Sequence, residues 1–263
     1  MVVAVVVYED GRFGHVPVQV TLGGNDMRNV HDVGGQLGYG PIDVRADDGR
    51  VFHSPYESLA FALTMASGAN GFFHNADERR FAMERLPPDV YVRCAYWERW
   101  LAAAEMKLVE NGVLDFDAIR EREQTVDPGA TAPAAAPEGL NDAIDNLIAR
   151  GRALAGQLPE PHRYAVGQRV HTRVTNNRHH TRLPGYAMGR EGVVVAQLPA
   201  FPLPDAVASD PDGPSEWTYR VRFEARELWG QDGGAHDVVM LDAFESYLRA
   251  TNPTTASSDR ETS

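Results

Sequence analysis

The sequence predicts a mixed α+β chain, helical in its N-terminal half and strand-rich in its C-terminal third, on three observations. Between residues 56 and 123 apolar residues recur at helical spacing. A low-complexity tract, PGATAPAAAP (Pro128–Pro137), then interrupts all periodicity. After Tyr164 the period falls to two, in short runs punctuated by Gly and Pro. The expected architecture is an N-terminal extended arm and helical domain, a Pro/Ala linker and a small antiparallel β-barrel. In residue ranges it divides into a non-native N-terminal extension over 1–26, arm plus helices over 27–125, linker and connecting helix over 126–160, barrel over 161–250 and a disordered tail over 251–263.

Residues 1–26 have the makings of one or two strands and reach the next segment through Gly23-Gly24-Asn25-Asp26. Two Gly codons just ahead of a Met codon can encode a ribosome-binding sequence, so Met27 is the expected first residue. Val30–Pro41 (VHDVGGQLGYGP), with four Gly and a Pro, has too little helix propensity for anything but an extended arm. Tyr56–Ala66 is Ala/Leu-rich. Asp77–Leu86 opens on carboxylates that suit a helix N-terminus and is stopped by Pro87-Pro88. From Tyr96 to Gly112, Trp97, Trp100, Leu101, Ala104 and Leu108 form an amphipathic stripe, and Gly112 stands where a C-terminal cap belongs. Asp115–Glu123 and Leu140–Ala155 complete the helices. The expected strands lie within Val166–Val174, Glu191–Val195, Trp217–Phe223 and Val238–Leu241.

The formal charge of −12 disfavours nucleic acid and anionic membrane as partners, since both are bound by Lys and Arg neutralising phosphates. The basic residues are 24 Arg and one Lys, Lys107, inside a helical stretch, which leaves Schiff-base chemistry a single poor candidate. One cysteine, Cys94, excludes an internal disulfide and a Cys-rich metal site and fits a reducing cytoplasm. The apolar run Met1–Val7 lacks a basic flank and is too short to span a bilayer. Dinucleotide fingerprint, phosphate loop, nucleophile elbow and His-Glu-x-x-His are all absent.

What remains is a short set of candidates. His179-His180 with His171 has the chelating residue type, but it sits in a turn where loop histidines are commonplace, with no thiol or carboxylate beside it in sequence. Tyr96, Trp97 and Trp100 have the spacing of core aromatics, with Tyr96 and Trp100 sharing one face that can line a cleft. Arg79-Arg80 and Arg182, taken singly, read as solvated charge.

The order of the segments adds what no single one carries. VHDVGGQLGYGP (Val30–Pro41), DERRFAMERLPP (Asp77–Pro88), AYWERWLAAAE (Ala95–Glu105), HTRLPGYAMGREG (His180–Gly192), FEARELWG (Phe223–Gly230) and HDVVMLDAFESYL (His236–Leu248) resemble, in this order, the segments of nitrile hydratase beta subunits. The likeness covers about Met27–Leu248 and is weakest in the Pro/Ala tract.

The resemblance implies a C-terminal barrel of the SH3-like kind and a chain that binds no metal itself. The family hydrates nitriles to amides at a Co(III) or Fe(III) centre held by a Cys-x-x-Cys-Ser-Cys motif of the alpha subunit, with two cysteines oxidised to sulfinate and sulfenate. No such motif exists here. The family's two beta-subunit arginines, which hydrogen-bond the oxidised cysteines, fall on Arg80 and Arg182; a guanidinium is a rigid, permanently charged fork suited to such oxyanions. Tyr96 and Trp100 fall where the family lines its substrate pocket. Trp100 followed by Leu101 and the Ala102–Ala104 run resembles the cobalt type more than the iron type.

The implied partner is the alpha subunit, in an obligate heterodimer that pairs into a heterotetramer in the cytoplasm, inactive when this chain is alone. Two departures touch the details: His179 stands where the family commonly has Gly, and Tyr56 where it commonly has Trp. An activator or metallochaperone for the alpha subunit resembles only the N-terminal half of such chains. A thiocyanate hydrolase-like subunit has the two halves as separate chains.

Overall fold

The computed structural model describes residues 2–7, 13–18, 31–32, 48–125, 139, 142, 144–146, 149, 154–175 and 179–251. The arm beyond His31 and Asp32, the Pro/Ala tract and residues 252–263 lie outside them. Of the helix expected over 140–155, the described positions 142, 144–146 and 149 are helical.

The chain divides into two compact units. The first comprises Met1–Ala155, Asn176–Gly185 and Pro202–Pro214, and the second Gly156–Thr175, Tyr186–Phe201 and Ser215–Ser263. The sequence reading gave all of 161–250 to one barrel domain. Two segments within that range group with the helices in the first unit, one held by the His180 side chain and the other by the Asn75 amide.

In the first unit, Val2–Val7 (β1) and Phe13–Val18 (β2) form an antiparallel hairpin. Among the described residues up to 125 the helices are Pro55–Ala69 (α1), Ala76–Glu84 (α2), Pro88–Arg93 (α3), Tyr96–Glu110 (α4) and Phe116–Thr125 (α5). The Pro87-Pro88 stop of the sequence reading is also a start. Pro88 occupies the first turn of α3, where its missing N–H and fixed φ cost nothing. Gly112 ends α4 at φ 69°, the left-handed position an L side chain resists.

Both α1 and α2 pack on α4. Ala102, Ala103 and Ala104 are buried there, and their small side chains let the neighbouring helices come close. Lys107, the single lysine, is mostly buried and spends its charge on Glu78 of α2 at 2.8 Å and Glu110 at 3.4 Å. Arg85 reaches the same Glu110 with both terminal nitrogens, at 2.7 and 3.1 Å, so α2 and α4 are tied electrostatically as well as by packing.

The second unit is a five-stranded antiparallel sheet in the order β6-β5-β4-β3-β7. Its strands are Arg169–Thr172 (β3), Glu191–Pro202 (β4), Ser215–Glu224 (β5), Val238–Phe244 (β6) and Leu248–Ala250 (β7). The ladder does not close: β6 and β7 end the order, and no pairing joins them among the described residues. β4 runs seven residues past the Val195 limit of its β-branched run, through a stretch of mixed polarity. Ala200 exchanges both backbone hydrogen bonds with Gly156, at 2.8 and 3.0 Å, and Thr218 donates its hydroxyl to the Pro199 carbonyl at 2.7 Å.

One core serves all five strands, built from Tyr164, Val170, Val194, Trp217, Tyr219, Val221, Phe223, Ala243 and Leu248. Polar ends of its aromatics are paired: the Trp217 indole donates to the Glu160 carbonyl at 2.7 Å, and the Tyr164 hydroxyl to that of Leu248 at 3.0 Å. The Tyr219 hydroxyl is bonded to Glu245 and accepts the Arg163 N–H.

Gly192 of β4 lies flush against this core. A Cβ there would meet Val221 Cγ1 at 2.5 Å and Phe223 Cε1 at 2.9 Å. Gly192→Ala is therefore expected to destabilise the chain by about 1–3 kcal/mol through overpacking. A lowered urea midpoint with unchanged m-value would register it, and an unaltered midpoint would mean that the core yields freely.

Candidate functional site

The residues that carry chemistry in the first unit gather around α2, and the helix begins at a deliberate cap. The Asn75 carboxamide oxygen accepts the Asp77 and Glu78 N–H groups at 3.0 and 2.8 Å, while its amide donates to the Val207 carbonyl at 2.8 Å. One side chain thus starts the helix and holds Pro202–Pro214 to it. Seven residues separate Asp77 from Glu84, which is nearly two helical turns, so both carboxylates lie on one face.

Between them sits His180, fully buried. Its Nδ1 is 2.8 Å from Glu84 Oε2 and its Nε2 3.2 Å from Asp77 Oδ1. An imidazole with a carboxylate at each nitrogen donates from both only when protonated. Burial on its own lowers the His180 pKa, but the hydrogen bonds and charges of Asp77 and Glu84 outweigh it, and the net shift is upward. Burial likewise works against ionised Asp77, yet bonds from His180 and Arg80 hold its carboxyl below the usual range.

Two more contacts complete the cluster. His31 places Nε2 3.7 Å from Glu84 Oε1, and burial pushes its pKa down, so the two histidines on Glu84 are tuned in opposite directions. The neighbouring Asp32 accepts the Gly185 N–H at 2.8 Å. The segment Asn176–Gly185 is therefore held at His180 and at Gly185.

Each residue singled out from the sequence has a definite place. Arg80 is on α2, its guanidinium 2.8 Å from Asp77 Oδ1, the same oxygen that meets His180. Its side chain keeps 43% of its exposure, so the guanidinium is held without being used up. Arg182 follows His180 by two residues and is exposed. Arg80 and Arg182 are carried by segments that the Asp77–His180–Glu84 clamp fastens together.

Tyr96 opens α4 at 58% exposure, its ring 5.7 Å from that of the partly buried Trp100. Trp97 meets Tyr96 edge-on at 4.9 Å and Trp100 at a tilt at 5.0 Å, and also meets Phe52 and Phe61 at 5.2 and 5.4 Å. Trp97 is the packing member of the trio, while Tyr96 keeps an open ring. Tyr56, the departure noted in α1, points its hydroxyl at Glu98 of α4 at 3.4 Å; burial and that carboxylate push its pKa up to about 12.

Sequence reading had set aside three participants. His180 was weighed as a metal ligand or an ordinary loop histidine; the Asp77/Glu84 spacing puts two carboxylates on one helix face but does not name their partner. Arg79 was dismissed with its neighbour, yet its guanidinium lies 4.3 Å over the Trp100 ring. His31 was a letter in a glycine-rich arm. Among the described residues no group of three His, Cys, Asp or Glu has the arrangement of a metal site, and the Cys94 thiol is buried, with its pKa raised chiefly by that burial.

Two family models match the chain: the N-terminal part of the nitrile hydratase beta subunit over residues 27–144, and its C-terminal part over 155–250. This chain belongs to the nitrile hydratase beta subunit family. It is 36% identical to the low-molecular weight cobalt-containing nitrile hydratase subunit beta of Rhodococcus rhodochrous over 84% of this chain and 99% of that one. It is 30% identical to the cobalt-containing nitrile hydratase subunit beta of Pseudonocardia thermophila, over 84% and 96%. Against the nitrile hydratase subunit beta of Rhodococcus erythropolis it is 33% identical, over 84% and 98%. Among solved structures, a recombinant apo-enzyme of thiocyanate hydrolase from Thiobacillus thioparus aligns at 21% identity with a TM-score of 0.36 over 45% of this chain, too low a score to bear on fold or function.

The clamp has a definite pH signature. Folding raises the His180 pKa, so its contribution is full below the ordinary histidine value of 6.5 and is lost as pH climbs through the raised one. Folding lowers that of Asp77, whose contribution is full above the ordinary 3.8 and is lost as pH falls through the lowered one. His180→Ala leaves the buried Glu84 carboxylate without its nearest cation, while the partly buried Asp77 keeps Arg80, and is expected to cost about 3 kcal/mol. Denaturant unfolding across pH should show the loss largest between those two ordinary values and shrinking towards alkaline pH. A loss independent of pH would mean that His180 acts by packing alone.

Proposed function

We propose that this chain is the beta subunit of a cobalt nitrile hydratase, the non-metal-binding partner that completes an active site for hydrating small nitriles to amides. The observation that carries the reading is the clamp: His180 between Asp77 and Glu84 fastens the segment bearing Arg182 to the helix bearing Arg80, within a chain related over both its halves to nitrile hydratase beta subunits. Nothing in an isolated structural module calls for two arginines held this way.

In this reading the metal, Co(III) rather than Fe(III), is held by oxidised cysteines of an alpha subunit and supplies the Lewis acidity that activates the nitrile. The cobalt-containing names of two relatives support the choice of metal. This chain supplies Arg80 and Arg182 as donors to the sulfur oxyacid oxygens. Asp77 aims Arg80 by taking one terminal nitrogen at 2.8 Å, leaving the rest of the fork for the partner. Charge-assisted hydrogen bonds of this type are worth about 1.5–3 kcal/mol each. Tyr96 positions the nitrile or its water through the phenol hydroxyl, and Trp100 forms an apolar wall.

The wider organisation belongs to the same proposal. The chain works as an obligate heterodimer with the alpha subunit, pairing into a heterotetramer in the cytoplasm, and is inactive alone. Its second unit is of the SH3-like barrel kind, a reading supported by five antiparallel strands around one core. No described helix is long and apolar enough to cross a membrane.

The test is co-expression with a nitrile hydratase alpha subunit, purification by a tag on this chain only, and measurement of acrylonitrile hydration with bound Co and Fe. Retention of the alpha subunit with one cobalt per heterodimer and amide product is expected; a stable chain that never retains it would refute the assignment. Arg80→Ala and Arg182→Ala should each lower kcat about ten- to a hundredfold, the equivalent of one such bond, with metal content unchanged. Near-native turnover in either variant would remove that arginine from the site.

A further inference from the structure

Arg79 is an odd residue to find where it is. Its guanidinium is partly buried and stacked 4.3 Å over the Trp100 ring. Among the described residues it makes no ion pair, in contrast to Arg80 beside it, which has Asp77. Burial and the Arg80 charge lower its pKa to about 10, which leaves it cationic at neutral pH but measures how poorly its charge is compensated. Its Nε is buried with no hydrogen-bond partner, and so is Nε1 of Trp100.

Two buried N–H donors therefore stand on adjoining groups, one of them charged. A buried, uncompensated charge and two orphaned donors are each a standing cost, and such costs persist chiefly at binding sites. Stacking occupies the face of the guanidinium and leaves its edge to bind. An edge N–H of a guanidinium together with an indole N–H suits the two oxygens of one carboxylate, because all the donors are neutral or cationic and none can accept. Tyr96, whose ring is 5.7 Å from Trp100, puts this pair beside the aromatic wall already assigned to the nitrile.

We propose that Arg79, with Trp100, is a specificity-determining anion-binding pair that selects nitriles carrying a carboxylate at the end remote from the cyano group. The inference rests on the nitrile hydratase reading and on Tyr96 and Trp100 lining its pocket. Arg79 holds the substrate's acid and takes no part in adding water, so its effect belongs in KM for acidic substrates.

The experiment compares 3-cyanopropanoate, its uncharged isostere 3-cyanopropanamide, and acrylonitrile, on the heterodimer with an alpha subunit, as wild type, Arg79→Met and Arg79→Lys. Arg79→Met keeps the bulk of the stack without charge or donors. It should raise KM for 3-cyanopropanoate roughly ten- to a hundredfold, the value of a desolvated charge-assisted bond, and leave kcat and both uncharged substrates little changed. Arg79→Lys retains charge without the planar fork and should recover part of the loss, and far-UV circular dichroism with alpha-subunit retention checks that both variants are folded.

Three outcomes overturn the proposal. If Arg79→Met impairs all three substrates alike, Arg79 serves a group common to every turnover, such as the partner's oxidised cysteines. If the wild type hydrates acrylonitrile but shows no Arg79-dependent handling of 3-cyanopropanoate, the anion pair is wrong and the nitrile hydratase reading survives. A metal-loaded heterodimer that hydrates none of the three takes both down together.

Discussion

Much of the first unit hangs on a buried imidazolium. His180 has no exposure, and a carboxylate meets each of its ring nitrogens. The histidine cannot leave without depriving the buried Glu84 carboxylate of its nearest cation, while Asp77 would keep Arg80 alone. The arrangement is self-consistent only as a unit: protonated histidine, ionised Asp77, and Glu84 in reach of both His180 and His31. A hydrophobic plug of the same size would join α2 to Asn176–Gly185 as firmly, but it would not orient Arg80. Because Asp77 Oδ1 is shared, the charge state of His180 bears directly on where that guanidinium points.

Helix α2 is accordingly a platform with three jobs on different faces. Its cap residue Asn75 both starts the helix and holds a distant loop. Glu78 anchors it to α4 through Lys107, and Asp77 and Glu84 hold the histidine. Arg79 and Arg80, adjacent in sequence, project about 100° apart on a helix. One stacks on Trp100 and the other pairs with Asp77. Two arginines that look interchangeable in a string of letters thus live in different electrostatic settings, only one of them paired with a carboxylate among the described residues.

The second unit is built on a different economy. Its aromatic core has its polar ends satisfied from within, with the Tyr219, Tyr164 and Trp217 heads each bonded to a carboxylate or a backbone carbonyl. Such pairing removes the penalty of burying phenol and indole. It also explains why β4 extends past its β-branched run: what continues the strand is pairing with Gly156 and the Thr218 hydroxyl, not the propensity of Gln197–Pro202.

Periodicity made the secondary structure legible. The Trp97–Leu108 stripe, the carboxylates opening α2 and the alternation of Trp217–Phe223 are local patterns, and local backbone physics alone requires helix or strand of them. The lone cysteine and the ordered segments bounded the function in the same way, since a residue type that is missing cannot be supplied by folding. The sequence could not disclose which charges meet. Asp77 and His180 are 103 residues apart, and that separation carries no periodic signal. Long-range pairing of titratable groups is decided by tertiary packing, which sets burial and distance together. Only that packing turned a loop histidine into a clamp and left Arg79 without a counter-charge among the described residues.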